Sequence, residues 1–294
     1  MILKCKFCSN KASFKFNIKS TFNFKLYKIY FCKFCKSSFV YPMPDENEIE
    51  EYYKKLQNQN FGKQKTSYSK LIERELKFPN ASIDAKRIIL QTKLLTQKKS
   101  LLDIGAGHGF ISKEAKINNF IVTALEINED RSSIFNKMNG SEPIKKMFDD
   151  NFAKNNLNSF DVIIVSQLLE HIADTQNFLK NLMAVLKKDG ICFIAVPNSR
   201  SLISLLLGKK DFFLIPPEHL NFFSIKGLNI LFEKNNFKMI HKETISRITF
   251  DRFNKISNLY LVKCMLFYFF KISFLIFDYF NKGMIINCYF KKNI

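Results

Sequence analysis

The sequence predicts an α/β protein in which helices cover both faces of a doubly wound, mostly parallel sheet. Short apolar runs alternate with helical patterns between residues 101 and 245, an order typical of βαβ units. The first run leads directly into a glycine-rich stretch, LLDIGAGHG, at 101–109. Two C-x-x-C pairs precede this region and indicate a small metal-binding module in front of the sheet.

The composition is that of a folded protein with a basic surface. The chain has 294 residues, 47% of them hydrophobic, which suits one sizeable domain with smaller additions. The opening MILKCKFCSN lacks the unbroken apolar run of a signal peptide, so we expect a cytoplasmic protein. The net charge of +20 favours nucleic acid or an anionic membrane as a partner, but scattered lysines also fit the codon bias of an A+T-rich genome.

Four regions follow from shifts in composition. Residues 1–44 carry nine lysines and no acidic residue, and we predict that they form a zinc-ribbon module. The acidic, helical segment 45–98 is interpreted as a linker or lid. The core extends over 99–245, and amphipathic helices with a final strand are predicted over 246–294.

The ribbon prediction rests on Cys5, Cys8, Cys32 and Cys35. Each C-x-x-C pair can direct two thiolates at one ion, and 23 residues separate the pairs. Four thiolates in a tetrahedron suit Zn²⁺ and leave no open coordination position, so the site would be structural. The alternative is a pair of redox-active or merely buried thiol pairs.

The core elements follow one another in a regular order. An apolar run bounded by turn residues predicts a strand, and each longer stretch with a helical period predicts the helix after it. The predicted strands are 101–104, 121–127, 161–165, 191–196 and 237–245, and the helices are 110–118, 129–138, 177–188 and 224–235.

The C-terminal stretch 259–280 is strongly apolar but contains Lys263, Lys271 and Asp278. Their spacings of eight and seven place all three charges on one face of a helix, which disfavours a transmembrane span. We therefore predict an amphipathic helix. Its broad apolar face either packs on the core or makes peripheral contact with a membrane interface.

The glycine turn indicates which cofactor binds. Gly105, Gly107 and Gly109 depart from the G-x-G-x-x-G spacing of dinucleotide-binding turns, and Asp103 would place a negative charge beside a pyrophosphate. The same carboxylate would attract the sulfonium and ammonium groups of S-adenosylmethionine. Glu126 ends the second strand, where a carboxylate can accept hydrogen bonds from ribose hydroxyls. An ordinary tight turn with a surface glutamate remains the alternative.

These features resemble the class I S-adenosylmethionine-dependent methyltransferases, especially the branch related to ubiquinone-biosynthesis and sugar O-methyltransferases. The resemblance also includes FDVIIVSQLLEHI at 160–172, LKKDGICFIAVPNS at 186–199 and EHLNFFSIKGLNILFEKNNF at 218–237. It implies a Rossmann-like sheet of seven strands. A C-terminal apolar helical insertion would precede the last strand.

The resemblance also implies further cofactor residues. Asp149 or Asp150 would end the third strand near the adenine, with Asp149 favoured, and Gln167 would lie beneath the methionine moiety. His108 departs from the small residue that the family usually has in the glycine turn. The geometry of the cofactor at that point is therefore an open question.

The reaction would need a base if the methyl acceptor is a hydroxyl. His171 follows the fourth strand at the carboxyl end of the sheet, and His219 in PPEHLNF is a second candidate. No N-P-P-Y or Pro-Cys sequence follows 161–165, which disfavours amide, exocyclic-amine and cytosine C5 methylation. Oxygen is the favoured acceptor, with carbon or nitrogen of a sugar still open.

The ribbon pattern, with Tyr27 five residues before Cys32 and a P-x-P segment after it, resembles the zinc ribbon of sugar-modifying members of this group. We expect O-methylation of a sugar or other small hydroxyl compound, including nucleotide- or lipid-linked sugars, in bacterial surface polysaccharide or related synthesis. The alternatives are an RNA-modifying enzyme whose basic ribbon binds phosphates and a non-enzymatic cofactor-binding module.

Overall fold

The computed structural model describes residues 2–58, 67–250 and 259–293 and contains two sheets. In chain order the strands are β1 (Ile2–Lys4), β2 (Lys11–Lys19), β3 (Leu26–Cys32), β4 (Ser38–Val40), β5 (Ser100–Ile104), β6 (Ile121–Leu125), β7 (Phe160–Ser166), β8 (Leu186–Pro197), β9 (Asn221–Phe222), β10 (Phe237–Ile245) and β11 (Ile285–Lys292). The helices are α1 (Glu46–Asn58), α2 (Tyr68–Lys77), α3 (Asn80–Leu95), α4 (Phe110–Ile117), α5 (Glu129–Asn139), α6 (Asp150–Asn155), α7 (Thr175–Val185), α8 (Leu202–Leu207), α9 (Ile225–Glu233) and α10 (Tyr260–Tyr279).

The larger sheet confirms the predicted mostly parallel architecture. Its order is β10-β11-β8-β7-β5-β6, and β11 runs antiparallel to both of its neighbours. Six strands are present in the described chain instead of seven. At the seventh position, Ile144 alone pairs with Leu125 through a single parallel bridge. Pro143 precedes Ile144 and has no N–H to donate, which limits pairing at this edge.

Alternating side chains direct the sheet's two faces into two different apolar layers. Leu101 on β5 packs with α3 and α4, in a cluster that includes Ile89 and Ala115. The next residue, Leu102, points to the opposite face and packs in the cluster that contains α7 and α9. A sheet buried on both faces requires the near-continuous apolar strands that the sequence shows.

The smaller sheet joins the N-terminal region to the core. β1 to β4 are antiparallel neighbours, and β9 from the core pairs with β4 through Ser38↔Phe222 and Phe39↔Asn221. Phe7 and Phe39 are also buried against Phe223 in the apolar cluster of the core. The cysteine-containing module is therefore fixed against the segment that follows His219.

Element boundaries differ from the predictions by a few residues. The helix predicted over 177–188 ends at Val185, because the chain continues directly as β8. This strand is longer than the predicted 191–196, since Leu186 already pairs with Phe160 before a register shift in the ladder. The early pairing replaces the last predicted turn of the helix.

The predicted apolar insertion before the last strand is present as α10. Of the two predicted alternatives for its apolar face, packing on the core is wrong. Among the described side chains of this helix only Phe274 is buried, and most of its apolar residues face solvent. The three charges share one face as predicted. The C-terminal end of that face is turned toward the protein, where Asp278 accepts hydrogen bonds from Ser246, whereas Lys271 is exposed.

Candidate active site

The glycine turn connects β5 to α4 at the carboxyl end of the parallel strands. Gly107 has a φ of +57°, and a Cβ added there would meet open space, which is where a ligand can approach the backbone. Gly109 has a φ of +85°, and a Cβ there would lie 2.3 Å from Nδ2 of Asn139. Glycine at this second position lets α4 pack closely against α5.

Glu126 lies immediately after β6 and holds the turn in place. Its Oε2 accepts a hydrogen bond from the Gly107 N–H at 2.8 Å, and its Oε1 accepts one from the Asn128 N–H at 2.8 Å. The side chain is buried at the edge of the sheet. Two backbone donors thus fix the carboxylate, and each oxygen retains a lone pair for a hydroxyl such as those of a ribose.

Asp103 is buried beneath the turn. Its Oδ2 accepts a hydrogen bond from the Ser112 hydroxyl at 2.6 Å, which connects β5 to α4. Burial raises the pKa of Asp103 to about 6, partly offset by the Ser112 hydrogen bond and reinforced by the nearby Glu126 carboxylate. The two acids therefore share one electronegative region, which suits a cationic cofactor and opposes a pyrophosphate.

His108 lies inside the same turn, between charges of opposite sign. Burial lowers its pKa, the Arg131 guanidinium lowers it further, and the Glu126 carboxylate opposes both. A neutral imidazole therefore stands beside the proposed ribose position.

Gln167 and Asp149 occupy different surroundings. Gln167 follows β7 with a φ of +53°, its N–H donates to the Ala195 carbonyl at 2.8 Å, and its side chain is exposed at the carboxyl edge. Asp149 lines a cavity of about 480 Å³ beside Ile144. The expectation that Asp149 or Asp150 ends a third strand is wrong, because Asp149 caps α6 by accepting from the Phe152 N–H at 2.7 Å.

His171 and His219 come together, as candidates for one site must. Their ring centroids are 4.9 Å apart with a near-perpendicular arrangement. Nδ1 of His171 is 2.7 Å from the Glu218 carbonyl, and Nδ1 of His219 is 2.9 Å from the Phe213 carbonyl. Since a carbonyl only accepts, each Nδ1 carries the proton, and each Nε2 is left as a potential acceptor.

Burial lowers the pKa of both histidines. For His219 the pKa falls to about 4, with the neighbouring His171 as the second cause. The pKa of His171 is lowered too, but its contacts with Glu218 oppose the shift. Both rings are neutral at pH 7, and His171 is better placed to hold a proton.

Sequence reasoning missed two glutamates of this cluster. Glu170 is buried, and its Oε2 has no hydrogen-bond partner among the described residues. Burial raises its pKa to about 8, and Glu218 adds to the shift. Glu218 accepts a hydrogen bond from the Tyr52 hydroxyl of α1 at 2.6 Å. The signal was the Glu-His dipeptide, which occurs at both histidines.

This cluster can do two kinds of chemistry. One ligand atom from each of Glu170, His171 and His219 lies within 4.8 Å of the others, a spacing that suits either proton exchange or a shared cation. α1 covers this side of the site through Tyr52. The sequence had predicted a linker or lid in this segment.

The four N-terminal cysteines also come together and are buried. The Sγ atoms of Cys5 and Cys35 are 3.7 Å apart, and those of Cys8 and Cys32 are 3.5 Å apart. Thiolates bound to zinc at about 2.3 Å in a tetrahedron lie about 3.8 Å apart. These residues fit a structural zinc ion.

The glycine turn, the strand-terminal glutamate and the sheet order agree with what a family comparison finds. A family model described as a methyltransferase domain matches residues 67–242, more than half of the chain. This chain belongs to that methyltransferase family. The match agrees with the resemblance to class I S-adenosylmethionine-dependent methyltransferases that the sequence motifs carry.

Two curated relatives of this methyltransferase are ubiquinone biosynthesis O-methyltransferases. The protein from Rickettsia prowazekii is 31% identical over 110 residues, which cover 34% of this chain and 41% of the relative. The protein from Caulobacter vibrioides is 32% identical over 114 residues, covering 37% and 45%. The chain thus spans less than half the length of these relatives.

Solved structures support the fold of this methyltransferase. An S-adenosylmethionine-dependent methyltransferase from Archaeoglobus fulgidus superposes with a TM-score of 0.51 at 18% identity, covering 76% of this chain and 99% of that one. The 1,6-didemethyltoxoflavin-N1-methyltransferase of Burkholderia thailandensis, solved with S-adenosylhomocysteine, gives 0.52 at 14% identity, covering 90% and 98%. At these identities the likeness concerns the fold alone.

Proposed function

We propose that this methyltransferase transfers a methyl group to a hydroxyl oxygen of a sugar or another small hydroxyl compound, as in bacterial surface polysaccharide synthesis. The observation that carries the proposal is the close pair of neutral rings of His171 and His219, each oriented by a hydrogen bond from Nδ1 to a backbone carbonyl. His171 follows β7 at the carboxyl edge, where ligands bind in doubly wound sheets, and His219 before β9 lies against it.

Several residues would hold the cofactor in this reaction. S-Adenosylmethionine supplies an electrophilic methyl group on its sulfonium sulfur when it is bound. Glu126 would accept hydrogen bonds from ribose hydroxyls, and Asp103 would contribute negative charge beneath the turn. Gln167, exposed after β7, would contact the methionine moiety, and Asp149 remains the proposed residue on the adenine side.

His171 would take up the proton of the acceptor hydroxyl. Its ring is neutral at pH 7, so it can receive a proton, and Glu218 stabilises the charged ring that results. The pKa of His219, lowered to about 4, makes this ring a weaker base. We therefore assign His219 to positioning the hydroxyl by accepting a hydrogen bond from it.

The alternative of RNA methylation receives less support from the ribbon's lysines. Lys6 donates to the Ala173 carbonyl at 2.8 Å, and Lys25 forms an ion pair with Glu48 at 2.5 Å. Lysines used for internal contacts are less available for binding phosphates. The names of the curated relatives likewise favour an oxygen acceptor.

The proposal is tested with radiolabelled methyl donor and a panel of nucleotide sugars, lipid-linked sugars, small phenols and RNA. We expect label in a hydroxyl compound, with a transfer rate at least tenfold lower in His171→Gln. His241→Gln is the matched control, because this histidine lies on β10 away from the site. Label found only in RNA would overturn the proposal.

A cation at the same residues would change the mechanism and not the reaction. If a chelator abolishes activity, and adding Mg²⁺ but no zinc restores the activity, then Glu170, His171 and His219 would be assigned to metal binding. Activity that resists the chelator supports proton transfer by His171.

A further inference from the structure

The outward side of α10 is a continuous apolar face. Its large side chains lie at helical positions three and four residues apart and are each between 51% and 81% exposed. A helix of a soluble protein normally turns such a stripe toward the core. The residues of this outward face are Leu261, Met265, Tyr268, Phe269, Ile272, Leu275, Ile276 and Tyr279.

The C-terminal end of the helix's polar side is turned toward the protein. The two carboxylate oxygens of Asp278 accept hydrogen bonds from the N–H and the hydroxyl of Ser246, at 2.9 and 2.8 Å. The Asp278 carbonyl accepts a further bond from the Thr244 hydroxyl at 3.1 Å. Phe274 is buried on this side. The helix is therefore anchored through its polar face, with its apolar face left outward.

The connections of α10 exclude a membrane crossing, although the helix is long and apolar enough for one by length and composition. The chain leaves the sheet at Ile245 and returns at Ile285, and these two residues are paired with each other. Asp278 keeps the last turn at this same point. A crossing helix would force residues 246–259 to cross back, and this segment carries four charged side chains. A position along the membrane surface requires no such return.

The net charge of the chain favours a lipid surface over a second copy of the chain as the partner that covers this apolar face. Each chain carries a net charge of +20, so two copies that meet face to face repel each other, whereas an anionic bilayer attracts each of them. Lys271 stands exposed on the helix, and Lys282 follows it. Such lysines can extend to lipid headgroups while their stems stay on apolar surface.

We infer that α10 docks this methyltransferase in the plane of an anionic lipid bilayer. The outward face enters the region between headgroups and acyl chains, and Tyr268 and Tyr279 place ring and hydroxyl at that boundary. The catalytic core remains in water, tethered through β10 and β11. This inference does not depend on the proposed acceptor.

Co-sedimentation with vesicles tests the inference. The full chain is mixed with vesicles of phosphatidylcholine alone or with one third phosphatidylglycerol. We expect binding to the anionic vesicles, weaker binding to the neutral ones, and at least tenfold weaker binding by the double variant Ile272→Asp and Leu275→Asp. The matched control is Leu76→Asp with Leu94→Asp, two leucines of α2 and α3 that are 81% and 79% exposed.

Calorimetric binding of S-adenosylhomocysteine verifies that every variant is folded, since α10 does not form the cofactor turn. Equal vesicle binding by the wild type and the Ile272→Asp and Leu275→Asp variant would overturn the inference. The inference would also be overturned if the wild type forms a dimer in sedimentation velocity and does not bind vesicles, and the same variant is a monomer. In that case a second copy covers the face.

Discussion

Replacing Cys32 with serine is expected to empty the ribbon of metal and to slow methyl transfer while cofactor binding persists. Its Sγ lies 3.5 Å from that of Cys8, within the buried group of four thiols that fits zinc. A serine hydroxyl is a poor replacement for a thiolate ligand of zinc. Since folding of small zinc modules depends on the ion, loss of the metal should also disturb the segment around His219, which the ribbon holds in place.

The magnitude follows from the hydrogen bonds between the ribbon and the segment after His219. The Val40 N–H donates to the Leu220 carbonyl at 3.0 Å. The Ser224 N–H donates to Ser37 Oγ at 2.9 Å, and the Ser224 hydroxyl donates to the Cys35 carbonyl at 2.5 Å. At a net value of about 1 kcal/mol each, the three contribute about 3 kcal/mol. Their loss shifts the equilibrium away from the docked ribbon by roughly a hundredfold.

The cofactor end of the site should not share this loss. Gly107 and Glu126 are hydrogen-bonded to each other at 2.8 Å, so the core alone holds that end. His219 immediately precedes Leu220 and depends on the docked ribbon for its position. The substrate side of the site should therefore fail before the cofactor side.

The assay measures metal content by mass spectrometry, S-adenosylhomocysteine binding by calorimetry, and initial rates with the acceptor found in the screen. We expect metal loss, a cofactor Kd within threefold of the wild type, and kcat/KM at least tenfold lower. Cys264→Ser controls for removal of a thiol outside the ribbon and should behave as the wild type. A metal-free Cys32→Ser enzyme with full activity, or one that loses cofactor binding in parallel, would refute the reasoning.

Three further outcomes are expected. Glu126→Gln should weaken S-adenosylhomocysteine binding roughly 10- to 100-fold by calorimetry, because charged hydrogen bonds are worth about 1.5–3 kcal/mol; unchanged affinity would remove Glu126 from the cofactor site. Gly109→Ala should lower the free energy of unfolding, measured in urea, by at least about 2 kcal/mol, because the new Cβ is strained by the positive φ and clashes with Asn139. Gly140→Ala is the control, since Gly140 has a similar φ but open space around it, and an equal loss there would show that backbone strain alone acts. Because the pKa of His219 is lowered to about 4, the unfolded chain binds a proton below about pH 6.5 that the folded protein does not bind, so stability decreases as the pH falls from about 6.5 to 4. His219→Gln should reduce this pH dependence of the free energy of unfolding, and an unchanged dependence would argue against a buried neutral ring.

The core could be predicted because its strands must be apolar on both faces. The run VIIV in β7 contributes alternate residues to two different layers, so continuous apolar strands between helical patterns leave few other arrangements. The edge of the sheet could not be predicted in the same way. Whether the segment around Ile144 forms a strand or a single bridge depends on local pairing beside Pro143, which periodicity does not report.

The meeting of Glu126 with the glycine turn could be predicted from the sequence, whereas the grouping of residues on the acceptor side could not. Glu126 and the glycine turn are close in sequence order and are joined by one parallel strand pair, so their meeting follows from the fold. His171 and His219 are brought together only by a long connection from β8 to α9, and the sequence offered them as alternatives. Glu170 gained its significance only from burial without a partner.

The sequence periodicity of α10 identified its polar and apolar sides but did not predict which side faces the protein. The charges at Lys263, Lys271 and Asp278 defined a polar side, and in a water-soluble helix that side is expected to face solvent. Asp278 reverses this, because two donors of Ser246 satisfy its carboxylate at the protein surface. This satisfied carboxylate turns the end of the polar stripe inward, while Lys271 stays exposed beside the apolar stripe. The apolar stripe then has no covering within the described chain, which is the condition that a lipid surface fulfils.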